Sequence, residues 1–208
     1  MKRIDKINIA KIVDIAFRKI TEIGFFDEEK GNEPIGPIYN KPMSIIPGAM
    51  TRYVNDSGYG CCFVFSAYMM NILNKYNINN YMIATREGNG TRASVMYEDN
   101  GKFYVANPVE DIEYFTNHNI TPNNRAKYYD GNTSTMIIDE KPHNDSRYTL
   151  DEFSKKYGDI WLIGSMSKNA NKTLETNMKA MGNKQIMPPE SANYDVKQLL
   201  LNQTKIHE

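Results

Sequence analysis

The chain has 208 residues, and its 25 lysine and arginine residues are balanced by 25 aspartate and glutamate residues. This balance excludes a globally basic nucleic-acid-binding protein. No apolar run reaches the roughly 18 residues of a membrane-spanning helix, so neither nucleic acid nor a membrane is an expected partner. The length suits one domain, which we place at 1–166, followed by a polar, helical C-terminal tail at 167–208.

The two cysteines, Cys61 and Cys62, are adjacent in the sequence. A disulfide needs a wider separation of its α-carbons than neighbouring residues provide, so a disulfide framework is excluded. The three histidines and two cysteines lack the spacing of a zinc site, and we expect neither a metal nor a cofactor. The charged first residues predict no secretory signal. These features favour the cytoplasm, while export into another cell without a signal stays open.

The first half of the chain alternates between patterned and irregular segments. Apolar residues at helical spacing over 5–20 predict an amphipathic helix that ends at Gly24. Range 25–58 is rich in proline and glycine, which predicts a long loop. Range 60–76 is apolar almost all round and predicts a buried central helix. A strand at 61–65 that runs into a helix is the alternative.

Three strand-like segments follow, at 81–85, 93–97 and 103–106. The Asn-Gly pair at 100–101 separates the last two, and this pair is the strongest short signal for a hairpin turn. The pattern therefore predicts an α+β fold in which a buried helix packs on an antiparallel sheet.

The rest of the chain gives weaker signals. Range 116–135 is polar and predicts a loop, and Thr149 with Glu152 predicts a capping box that opens a helix to about Tyr157. The remaining predicted elements are strands at 136–138 and 160–163 and two tail helices at 171–181 and 194–204.

The cysteine pair stands directly after Gly60, at the predicted start of the buried helix. The unpaired N–H groups and partial positive charge of a helix N-terminus lower a thiol pKa and can stabilise an oxyanion. This placement suits a thiolate nucleophile that attacks an acyl carbon. The alternative is that both cysteines are small core residues.

The residues around the pair form a longer pattern: a glycine two before a cysteine, an aromatic and a small residue one turn later, paired aliphatics, and an apolar residue that opens a strand. Its members are Gly60, Cys62, Phe65, Ser66, Ile72, Leu73 and Ile78. The pattern resembles the transglutaminase-like superfamily, a branch of the papain-like fold. The resemblance covers about residues 58–110 and implies that Cys62, not Cys61, is the nucleophile.

The resemblance also implies a catalytic histidine and a catalytic aspartate on the two strands that follow. This sequence has Arg92 and Asn107 at those positions, 15 residues apart. Arginine stays protonated and cannot act as a general base, although its charge can hold a thiolate. An asparagine can still orient a partner.

Three interpretations follow from this altered triad: a catalytically silent fold kept for binding, an enzyme with a different base, or chemistry that needs only an activated thiolate. The candidate replacement bases are His118 and His143, the latter with Asp159, which lies 16 residues further on. The acidic residues Glu110 and Glu113, with Asp111 between them, either receive a cationic substrate or belong to a solvated loop.

The resemblance therefore implies a cysteine-dependent acyl-transfer enzyme of the protease, deamidase, transglutaminase or amidase type. Its substrate would be a peptide, a protein or a small amide, with Cys62 as nucleophile and Arg92 and Asn107 in the other triad positions. The alternatives are a silent binding module and a small-molecule N-acyltransferase. The sequence does not indicate an oligomeric state.

Overall fold

A computed structural model describes residues 8–38, 41–88, 90–166 and 186–187. The helices in this part of the chain are α1 (Ile9–Ile23), α2 (Glu28–Asn32), α3 (Ile46–Ser57), α4 (Cys62–Lys75), α5 (Pro108–Asn117), α6 (Pro122–Arg125) and α7 (Leu150–Tyr157), with short 3-10 helices at Gly36–Ile38 and Ala126–Tyr128. The strands are β1 (Phe25–Phe26), β2 (Tyr59–Gly60), β3 (Asn80–Glu87), β4 (Gly90–Asp99), β5 (Lys102–Ala106), β6 (Met136–Ile138), β7 (Lys141–His143), β8 (Arg147–Thr149), β9 (Ile160–Gly164) and β10 (Ile186–Met187).

The main sheet has the order β10-β9-β3-β4-β5-β8, and its strands are antiparallel except for the β9–β10 pair. Side chains alternate between the two faces of a strand. On one face, Met82, Val95 and Tyr97 belong to the same core as α4. On the other face, Ile83 and Met96 pack with residues of α7. The predicted α+β fold, with a buried helix on an antiparallel sheet, is confirmed.

Helix α4 forms the centre of the larger core, as the sequence predicts. Its buried residues lie on all sides of the helix and are Val64, Phe65, Ser66, Ala67, Tyr68, Met69, Met70, Ile72 and Leu73. The alternative of a strand at 61–65 is wrong, because the helix begins at Cys62.

Signals in neighbouring residues set several element boundaries. Helix α1 ends before Gly24, and the Asn-Gly turn has positive φ at both positions, 50° and 75°. Both bonds of the capping box that joins Thr149 and Glu152 are present at the start of α7. The strands predicted at 136–138 and 160–163 are also confirmed.

The long loop predicted for 25–58 is wrong, because this range contains α2 and α3. Proline is tolerated in the first turn of a helix, where its missing N–H has no acceptor, and Pro47 lies in the first turn of α3. Met50 and Val54 then bury one face of that helix. The predicted loop at 116–135 likewise contains α6 and a 3-10 helix, and α5 was not predicted.

The two helices predicted at 171–181 and 194–204 lie outside the described residues. Within the predicted tail, Ile186–Met187 pairs with Ile160 and Trp161 of β9 at the edge of the sheet. The division at residue 166 stays a prediction. In the described part of the chain, no helix has the length and apolar character needed to cross a bilayer.

Candidate active site

The turn that carries the two cysteines is held by backbone pairing and a close helix contact. Strands β1 and β2 pair in parallel, with Phe26 opposite Gly60. A Cβ atom on Gly31 of α2 would lie 2.5 Å from the backbone nitrogen of Cys61. Only glycine allows this approach, which sets α2 directly against the turn.

A cavity of about 310 Å³ opens beside this turn. Cys62 and Arg92 both line it, so the structure brings together two of the three predicted site residues. The other lining residues are Phe26, Glu28, Asn32, Cys61, Glu87, Gly90, Thr91 and Glu113.

Cys62 is the first residue of α4, and its Sγ atom lies 3.9 Å from the carbonyl oxygen of Thr91. The pKa of its thiol is lowered to about 7. The main cause is a hydrogen bond from the Cys61 thiol, with further contributions from the Ala93 backbone N–H and the charge of Arg92. Burial acts in the opposite direction. A large fraction of Cys62 is therefore thiolate at neutral pH without a dedicated base.

Cys61 has the complementary role of a proton donor. It is 5% exposed, and the hydrogen bond with Cys62 together with burial raises the pKa of its thiol. Arg92 and the Ala93 N–H act on Cys62 in addition, so the negative charge of the pair resides on Cys62. Cys61 therefore stays protonated and stabilises its neighbour.

Replacing Cys61 by alanine is expected to raise the pKa of Cys62, because the largest stabilising hydrogen bond is lost. Cys61→Ser keeps a donor of similar size and should preserve most of the lowered pKa. The rate of iodoacetamide alkylation at Cys62, followed against pH, measures the Cys62 pKa in both variants. Equal profiles for Cys61→Ala and Cys61→Ser would show that Cys61 does not act as the donor.

Arg92 lies on β4 and is bound by two carboxylates. Its Nε atom donates to Glu87 at 2.6 Å, and its terminal nitrogens donate to Glu113 at 3.3–3.4 Å. Burial lowers the pKa of Arg92, but the two carboxylates more than offset this and raise it. Arg92 is thus a permanent cation that cannot take a proton from Cys62.

The sequence did not identify Glu87 or Glu28 as site residues, and it placed Glu113 only in an acidic cluster. Glu113 lies on α5, which begins with a proline at its first position. That proline and the acidic residues Glu110 and Asp111 of the first turn are helix-start signals, and they could have placed Glu113 on a helix. Nothing local relates Glu113 to Arg92, 21 residues earlier.

Asn107, the third predicted site residue, does not line the cavity that Cys62 shares with Arg92. It follows β5 and caps α5, and it is 1% exposed. Its Nδ2 atom donates to Glu110 at 3.0 Å, and its backbone N–H donates to the carbonyl of Ser146 at 2.9 Å. Through these contacts Asn107 holds the junction between β5 and α5 in place.

The two candidate replacement bases do not line the cavity either. The ring of His143 stacks on Tyr114 with centroids 3.7 Å apart, and the ring of His118 lies 4.3 Å from the same tyrosine. Burial lowers the pKa of His143. Asp159 is exposed between α7 and β9.

The described residues contain no cluster of three or more His, Cys, Asp or Glu side chains arranged to hold a metal ion. The chemistry that this part of the chain offers is that of a thiolate, a fixed cation and three carboxylates around one cavity.

No protein-family model and no curated protein matches the sequence. A solved structure described as a crystal structure of a TGase aligns with 89% of this chain and 54% of its own, at 12% identity and a TM-score of 0.34. The chain thus spans about half the length of that protein. A similarity this weak does not establish a shared family or activity.

Proposed function

We propose that this protein is a cysteine-dependent acyl-transfer enzyme of the transglutaminase-like, papain-like type, with Cys62 as its nucleophile. One observation carries the proposal: the Cys62 thiol begins the buried helix α4, has a pKa of about 7 and opens into a cavity. A thiolate with such access attacks acyl carbons.

The start of α4 contributes to the stability of the Cys62 thiolate. The first N–H groups of a helix have no acceptor within it, and the first internal bond here runs from Phe65 to the carbonyl of Cys61. The preceding N–H groups carry partial positive charge. Those of Phe63 and Val64 are directed at the two thiols and lower their pKa values, so the helix start stabilises the Cys62 thiolate before it reacts.

A catalytically silent binding module is the second candidate. It is favoured by the pairing of Arg92 with Glu87 and Glu113, because a cation held by two carboxylates leaves the thiolate without a proton-transfer partner. In that case the cavity would bind a ligand, and Cys62→Ala would leave that binding unchanged.

An activated ester distinguishes the two candidates without knowledge of the substrate. With p-nitrophenyl acetate, we expect a burst of one nitrophenolate per chain, acetylation of Cys62 and continued turnover. Cys62→Ser should lose the burst, and Cys61→Ser should keep it. A chain without a Cys62-dependent burst, or one whose acetyl group passes neither to water nor to an added primary amine, would be a binding module.

A further inference from the structure

Resting on the proposed function, we propose that the acyl donor is a thioester whose leaving thiol is neutral or cationic, rather than an amide or an anionic thioester. Two features of the cavity lead to this: the kinds of proton donor that line it, and the balance of charge on its walls.

The first feature concerns proton transfer to the leaving group. An amide releases an amine, which leaves only when an acid protonates it in the transition state, a contribution of about 10²–10⁴ in rate. Among the described residues that line the cavity there is no histidine, and Arg92 does not release its proton. Glu87 and Glu113 accept hydrogen bonds from Arg92. The Cys61 thiol keeps its proton toward Cys62, because that hydrogen bond and burial raise its pKa, so it is a poor acid for a leaving amine.

A thioester removes this requirement, because its leaving group departs as a stable thiolate. The Cys62 thiolate forms a new C–S bond to the acyl carbon, and the carbonyl electron pair moves to oxygen. When the carbonyl re-forms, the original C–S bond breaks and the leaving thiolate takes a proton from water. The acyl group then passes to water or an amine, whose proton is lost to solvent, and the Cys62 thiolate is restored. No step needs an acid from the protein.

The second feature concerns charge. Three carboxylates, those of Glu28, Glu87 and Glu113, line the cavity together with one guanidinium. That guanidinium already donates to two of the carboxylates through its Nε and terminal nitrogens. It is therefore not a free site for a phosphate or carboxylate of the donor, and the Cys62 thiolate adds a further negative charge. An anionic leaving group would meet net repulsion, whereas a cationic one would be attracted.

Three acetyl thioesters that differ in leaving-group charge test the inference: acetylthiocholine, the S-acetyl ester of N-acetylcysteamine, and acetyl-coenzyme A. Intact-mass and peptide mapping follow acetylation of Cys62. We expect the rate to fall in that order, from cation to neutral to anion, and the differences to shrink as salt screens the charges. Glu28→Gln should reduce the difference in acetylation rate between the cationic and the anionic donor. Glu152 has an exposed carboxylate on α7, and Glu152→Gln should leave that difference unchanged.

The proton-transfer argument is tested with two donors that share an acetyl group, S-phenyl thioacetate and 4-nitroacetanilide. The thioester should acetylate Cys62 and the anilide should not. Acetylation by the anilide at a comparable rate, or a preference for acetyl-coenzyme A, would overturn the inference while the acyl-transfer function stands. If p-nitrophenyl acetate also fails to give a Cys62-dependent burst, the proposed function itself fails.

Discussion

Arg92→Gln is expected to raise the pKa of Cys62 above about 7, though not to the value of a free thiol, because the Cys61 hydrogen bond and the Ala93 N–H still favour the thiolate. The substitution removes a cation that favours the thiolate. It also leaves Glu87 and Glu113 without their partner, and both carboxylates then disfavour a nearby negative charge. The two effects have the same sign, so the thiolate fraction at neutral pH should fall by about two- to fivefold.

The rate of Cys62 alkylation by iodoacetamide, measured against pH, reports this change. Arg92→Lys keeps the charge and should keep most of the lowered pKa, while Arg52→Gln removes an equal charge from an exposed position on α3 and should change nothing. If all three variants follow the wild-type profile, Arg92 has no electrostatic role at Cys62. Circular dichroism verifies that each variant is folded.

Arg125→Met is expected to lower the free energy of unfolding by at least about 2 kcal/mol. Arg125 is fully buried on α6, and burial lowers its pKa to about 10, so it stays charged at neutral pH. Its guanidinium donates to the carbonyls of Gly24, of Thr21 at 2.9 Å and of Ile120 at 3.3 Å. Methionine fills similar space but leaves these acceptors without that donor, and a buried unpaired carbonyl is costly.

Urea unfolding measures this loss. Lys127→Met is the matched control, because Lys127 is exposed only two residues away, and surface substitutions of this kind stay within about 0.5 kcal/mol. A more stable Arg125→Met protein would mean that the cost of burying the guanidinium exceeds the value of its hydrogen bonds.

Arg125 also bears on the site. It holds the end of α1, and the chain continues from Gly24 directly into β1, which pairs with β2 before the cysteine turn. Loss of this anchor is therefore expected to slow Cys62 alkylation as well as to weaken the fold.

The features that sequence analysis predicted correctly are those with a local physical cause. Helix α4 is apolar on every side, so it is stable only when it is buried. The turn after Gly60 makes Cys62 the first residue of this helix. The Asn-Gly pair tolerates positive φ at adjacent positions, which sets the β4–β5 hairpin. In each case the residues that determine the structure are within a few positions of one another.

Helix α3 shows where local signals mislead. Proline and glycine near its start suggest a loop, but Pro47 occupies a position where its missing N–H costs nothing. The burial of Met50 and Val54 against the rest of the core favours the helix. Tertiary packing, which the local composition does not report, decides this segment.

The candidate active site likewise has some features that the sequence predicts and others that only the tertiary structure decides. The sequence by itself determined that a thiol begins a buried helix and that Arg92 lies on a following strand, because helix starts and strand patterns depend on neighbouring residues. Only the tertiary structure set Glu113 on Arg92 and kept the histidines outside the cavity. These relations join residues from separate elements, and their distances follow from how the helices pack on the sheet.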